Sequence, residues 1–280
     1  MKLFVLLLPV LVARLLAAEP AAAAPLPPKP GAAGWRFEEL RRFPAPEAGQ
    51  GVAVDREFFY AIDNHTIAKY HKASGERVAL WEGGKDGPMI HLNAGIVHQG
   101  RLYCAHSNYP TVPMLSSVEI FDTATMKHAG SHSFGRYDGS LTWLDRRDGK
   151  WIACFVHYGK KGGEPGRGPE WTQIVEFDDD WRRLRGWGLP PALVATLGTR
   201  GYSVSGGAFG PRGQLFATGH DEPELYVLDF PAAGSSLVWK ATIGISAEGQ
   251  AFGWDAGEPG MLYTIGRKRR EVVVGRVTAP

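Results

Sequence analysis

Four histidines, His91, His106, His157 and His220, carry the chemistry this 280-residue chain could offer near neutral pH. A free imidazole titrates near 6.5 and can take up a proton, release one, or ligate a divalent metal. Asp221 follows His220 directly, so an acid stands beside a base. These five residues are the candidate proton-transfer groups. His106, His157 and His220 could instead hold a divalent metal, with Asp221 or Asp63 as a carboxylate ligand. Each imidazole could equally bond a neighbouring backbone. The histidines lack the local spacing of a metal motif, so the cofactor stays unassigned.

Candidate ligand-binding residues are Asp63, Asn93, Asn108, Tyr158, Ser205, Glu248, Gln250 and Arg267. Glycine flanks Gln250, which allows close approach of backbone and side chain to a ligand; Gln50 reads rather as a strand-entry bulge. Arg267 opens the basic run 267–270 and could pair with a ligand carboxylate, while Lys268, Arg269 and Arg270 read as a solvated hairpin. Residues 203–207 lack nucleophile-elbow spacing, and the glycine-rich stretch 162–168 lacks the Lys-Ser/Thr of a phosphate loop. Asn64-His65-Thr66 fits a glycosylation sequon.

The elements that must position these groups repeat along the chain. Copies open at Glu57, Gly100, Gly149, Gly213 and Gly260. Each has a large residue three positions on (Tyr60, Tyr103, Ile152, Phe216, Tyr263), then a small one (Ala61, Cys104, Ala153, Ala217, Thr264). A strand-bearing repeat of about 40–50 residues predicts a radial β architecture. Inner strands are predicted at 51–54, 94–97, 141–144, 206–209 and 251–254, rich in small residues that suit crowding near an axis. Third strands follow at 66–70, 117–121, 172–177, 224–228 and 271–274, and outer strands at 77–81, 129–134, 184–187 and 237–241. The fifth blade lacks an outer strand, which 37–43 can supply, closing the ring and removing two open edges. The expected fold is therefore all-β: a single five-bladed β-propeller over 35–280, closed by an N-terminal outer strand, with one short helix at 190–197. The inner-strand entrances and second-strand exits share one face with the long loops 109–114 and 160–169, which marks the working mouth.

Lys2, the apolar run 3–13 and the small-residue stretch 17–24 read as a signal peptide over 1–24, followed by a Pro/Ala-rich tether at 25–34. The run is too short to span a bilayer, so no stable membrane span is expected after processing, and the protein is expected in the periplasm or outside a bacterial cell. A net charge of +2 gives no case for a nucleic-acid partner. Cys104 and Cys154 are expected as two buried thiols.

In architecture, though in no transferable catalytic motif, residues 35–280 resemble the secreted bacterial β-propellers. That group includes glutaminyl cyclase-like, lactonase- and cycloisomerase-like enzymes and polysaccharide lyases. The resemblance implies one ligand site at one pore mouth. The expected function is an exported, monomeric enzyme of lyase, hydrolase or cycloisomerase type. It would act on a small polar or carboxylated ligand (a saccharide, lactone or organic acid) by proton transfer. The alternative is a non-catalytic propeller binding a glycan, peptide or protein.

Overall fold

The computed structural model describes residues 26–136 and 138–280; the signal-peptide reading of 1–24 lies outside them. A strand, β1 (Arg36–Pro44), precedes the first blade. Blade 1 is β2 (Gly51–Val54), β3 (Phe58–Asp63), β4 (Thr66–His71) and β5 (Arg77–Glu82). Blade 2 is β6 (His91–His98), β7 (Arg101–Ser107), β8 (Ser116–Asp122) and β9 (His128–Gly135). Blade 3 is β10 (Ser140–Arg147), β11 (Lys150–Val156), β12 (Gln173–Phe177) and β13 (Arg183–Gly188). Blade 4 is β14 (Gly206–Phe209), β15 (Leu215–Thr218), β16 (Glu224–Asp229) and β17 (Val238–Gly244). Blade 5 is β18 (Gly253–Trp254), β19 (Met261–Gly266) and β20 (Glu271–Thr278), and its sheet order is β1-β20-β19-β18. The chain is thus a five-bladed, all-β propeller, closed as expected by the N-terminal strand, which pairs antiparallel with β20 from Arg36↔Thr278 to Pro44↔Glu271.

The one α-helix among the described residues, α1 (Pro191–Gly198), has proline in its first turn and buries Leu193 and Leu197. A proline there sacrifices only an amide that has no intrahelical acceptor.

Each seam between adjacent blades carries its own apolar cluster. Phe43, Phe59, Tyr70 and Tyr263 join blades 5 and 1, and Ile62, Leu92, Leu102 and Phe121 join blades 1 and 2. Leu144, Phe155 and Val118 fill the next seam, Trp143, Ile174 and Leu215 the one after, and Phe216, Ile243 and Leu262 the last. Side chains alternate along a strand, so each blade feeds both of its neighbours. Burying each large apolar side chain contributes about 1.5–3 kcal/mol, which makes the ring rigid without a single central core. The same alternation explains the thiols. Cys104 belongs to the seam between blades 1 and 2 and Cys154 to that between blades 3 and 4, and both are free and buried. Burial pushes both thiols well above their ordinary range.

Inner strands run so close to the axis that several glycines admit no side chain. A Cβ on Gly207 would lie 2.3 Å from the indole of Trp143, and one on Gly51 would lie 2.7 Å from Ala251 Cβ. The tether, where described, lies along blade 4: Lys29 pairs with Glu224, and the Gly31 carbonyl accepts the Thr242 N–H.

Candidate functional site

Where the inner strands begin, each blade sends one neutral polar residue to the floor of a shared cavity: Gln50, Asn93, Thr142, Ser205 and Gln250. Asn93 and Thr142 lie at bulges where the β6–β7 and β10–β11 registers shift, which lets them break the strand alternation. The cavity encloses about 560 Å³, a size ordinary for small-ligand sites. Its walls are His91, Tyr109, Tyr158, Tyr202, His220 and Arg267, and its rim carries Lys85 and Lys161. Among the described residues, no aspartate or glutamate lines it.

His91, the first residue of β6, shares its Nδ1 hydrogen with Asn64 Oδ1, and that oxygen also accepts from Gln50 Nε2 at 3.1 Å. The carbonyl can only accept, so Nδ1 is the protonated nitrogen and Nε2 keeps the lone pair of a neutral ring. Burial lowers the His91 pKa to about 4, and the Arg267 charge acts in the same direction.

His220 lies just beyond β15. Its Nδ1 is 2.7 Å from Asp221 Oδ1, and Arg267 Nη1 stands 3.1 Å from Nε2. A guanidinium has only donors, so Nε2 accepts and Nδ1 donates to Asp221. Tyr202 stacks on the His220 ring at 3.9 Å and 6°. Arg200 bridges Asp221 and Glu222, both at 3.2 Å, and so latches the chain segment that carries Tyr202. Burial lowers the His220 pKa against the opposing pull of Asp221.

The basic run divides as its register dictates. Lys268 faces Glu248 at 3.7 Å, Arg269 faces Glu271 at 4.0 Å, and Arg270 pairs with Asp63 at 2.6 Å. Arg267, half-buried on the cavity wall, has no carboxylate partner among the described residues. Gln250 is buried with φ +93, a conformation costly for a residue with a Cβ. It is held there by its N–H to the Gly219 carbonyl at 2.8 Å.

The structure thus brings together His91, Asn93, Tyr158, Ser205, His220, Gln250 and Arg267 from the sequence-derived candidates, with Asp221 directly behind His220. The other candidates are engaged elsewhere. Both His106 nitrogens are taken: Nε2 accepts the Ile90 N–H at 3.0 Å, and Nδ1 meets Ser117 Oγ at 2.9 Å. His157 is buried behind the wall, with Nδ1 3.5 Å from Glu164 Oε2. Glu164 also accepts the Met114 N–H at 2.7 Å, so it ties the two long loops together. Asp63 is bound to Arg270, and Glu248 faces Lys268. Asn108 caps its own loop, accepting from Leu115 and donating to the Pro113 carbonyl. His106, His157 and His220 therefore do not converge, and among the described residues no three His, Cys, Asp or Glu side chains gather as a metal-ligand set. The sequon asparagine, Asn64, faces the cavity as the anchor of His91.

Sequence reasoning left out Tyr109, Tyr202, Lys85 and Lys161, and Thr142 of the floor. The tyrosines are loop residues outside the repeat register; only their nearness to the mouth loops could have flagged them.

No family model matches this sequence, and no curated protein matches it. Solved structures do. The chain is similar to a luciferin-regenerating enzyme, with a TM-score of 0.54 and 13% identity over 88% of this chain and 96% of that one. It is also similar to the PQQ-bound form of aldose sugar dehydrogenase from Streptomyces coelicolor, with a TM-score of 0.56 and 11% identity over 89% and 100%. Hydrazine synthase of Kuenenia stuttgartiensis gives a TM-score of 0.50 and 12% identity over 82% and 83%. At these identities the likeness is one of fold, and it agrees with the sheet order in making this chain a β-propeller.

Proposed function

We propose that the protein binds a small carboxylated ligand in the mouth cavity and transfers a proton on it, with His91 as the base. The observation that carries this reading is Arg267. It is a half-buried cation, oriented by His220 and Asp221, with no carboxylate on its wall and no anionic partner among the described residues. An isolated buried charge is costly, and a ligand carboxylate offsets that cost through a charge-assisted hydrogen bond. Lys85 and Lys161 at the rim favour approach of the same charge.

His91 supplies the proton acceptor. Asn64 holds its tautomer, so the lone pair sits on Nε2 without any step of reorientation. Burial is the main cause of the ring's low basicity and the Arg267 charge adds to it, so an anionic ligand that offsets that charge raises its proton affinity. Base strength is thereby coupled to occupancy. The propeller neighbour solved with PQQ lends general support for a small ligand in this architecture. The charged n-region and short apolar run at the N-terminus support export to the periplasm or beyond.

The test is a carboxylate panel read by calorimetry and by a proton-transfer assay. Arg267→Gln is expected to weaken binding about 10- to 100-fold. His91→Gln is expected to leave binding within about threefold and to abolish turnover. A low proton affinity at His91 also favours a second reading, a carboxylate-binding propeller without chemistry. Binding that persists with no turnover in the parent protein would select it.

A further inference from the structure

We infer that the ligand of this site is a planar aromatic carboxylate, an inference that rests on the anion reading of Arg267 and sharpens it. Among the described residues, three tyrosines line a cavity whose charged side chains are all cationic. Tyr202 and His220 form a parallel slab, 3.9 Å apart and 6° from coplanar, on the blade 4 side. From blades 2 and 3, Tyr109 packs on His91 at 5.0 Å and on Tyr158 at 4.8 Å, tilted by 37° and 54°. The rings are held firmly. Gly162 lies against Tyr109, where an added Cβ would come within 2.6 Å of the ring, and Arg200 latches the Tyr202 segment to Asp221. Rigid π-faces on two sides of a cavity favour a flat ring, which stacks offset or edge-on without ordering new side chains.

The charge of the lining favours an acidic ligand over the main competitor, a neutral polyhydroxylated one. Among the described residues the lining holds no carboxylate, and its acceptors are neutral: His91 Nε2 and the amides and hydroxyls of the floor. The amide oxygen of Asn64 already serves His91 and Gln50. Charged donors are present instead, Arg267 and the two rim lysines, with the hydroxyls of Tyr109 and Tyr202 beside them. The phenols of Tyr109, Tyr158 and Tyr202 are close enough that burial and their mutual proximity raise those of Tyr109 and Tyr158 above the ordinary tyrosine range. Protonated phenols beside an arginine suit a ligand that only accepts.

Three probes of equal charge separate the possibilities: benzoate, cyclohexanecarboxylate and gluconate, titrated calorimetrically into the full-length protein. Benzoate is expected to bind about fivefold or more tighter than cyclohexanecarboxylate, the size of one aromatic contact, and tighter than gluconate. Tyr202→Leu is expected to bring the benzoate-to-cyclohexanecarboxylate ratio close to one while cyclohexanecarboxylate affinity changes less than about twofold; Tyr202→Phe is expected to restore the ratio. Gluconate or cyclohexanecarboxylate matching benzoate overturns the inference, as does a ratio that survives Tyr202→Leu, and in both cases loss of binding in Arg267→Gln leaves the anion reading standing. If none of the three acids binds, the anion reading fails and this inference fails with it.

Discussion

Arg267 Nη1 donates to Nε2 of His220 across 3.1 Å, so a neutral imidazole, rather than a carboxylate, orients the guanidinium. An acid in that place would satisfy Arg267 and remove its attraction for an anion; histidine holds it and leaves its charge uncancelled. His220→Phe should keep the ring against Tyr202 and delete the acceptor. Affinity for benzoate should fall about tenfold, with the melting temperature nearly unchanged, in calorimetry and thermal denaturation run in parallel.

Histidines held neutral make stability depend on pH in a definite direction. His91 has a folded pKa of about 4 against a free value of 6.5, so the unfolded chain binds the proton more readily. Its contribution is fully present above pH 6.5 and is lost as pH falls toward 4. The pKa values of His106, His157 and His220 are lowered by burial and act in the same sense. Buried Asp145, raised to about 6, opposes them over the lower part of that range. Comparing the parent with His91→Gln cancels the shared groups. Urea unfolding at pH 7 and pH 4.5 should show a smaller loss in the variant, by on the order of 2 kcal/mol.

Gly249 sits where a side chain cannot fit: an added Cβ would lie 2.0 Å from the Gly219 carbonyl oxygen, the acceptor for the Gln250 N–H. Gly249→Ala should destabilise the protein by about 1–3 kcal/mol through overpacking. It should also weaken ligand binding by displacing Gln250 from the floor. Denaturant midpoints and benzoate titrations would separate the two effects.

The architecture was legible because its signals are local and repeated. The large–small pair at Tyr60–Ala61 and its four counterparts marked the second strands, and the missing outer strand of the last blade pointed to 37–43. The observed β1, Arg36–Pro44, fills that place. The site was legible only as a face. His106 and His157 share that face with His220, but whether an imidazole turns to the axis or to a loop depends on partners distant in sequence, Ile90 and Glu164 among them. Tyr202 and Tyr109 carry no periodic mark; their place in the cavity comes from loop packing. Asn64 had the form of a glycan acceptor, and only the fold shows its oxygen holding His91.

Removing β1 should be far costlier than its length suggests. A chain starting after Pro44 leaves the β20 edge open and strips Phe43 from its cluster with Phe59 and Tyr263. Such a protein should aggregate or unfold at 25 °C, observed by light scattering and size exclusion. Adding a synthetic 36–44 peptide should recover part of the folded signal.

The pairing of β1 with β20 also orders events in time. β1 is made long before β20, so the four intervening sheets can stack as an unfinished arc until β20 is available to pair with it. Contacts so distant along the chain form slowly. The mouth takes one wall from Arg267, between β19 and β20, so it is complete only once the fifth blade has closed the circle.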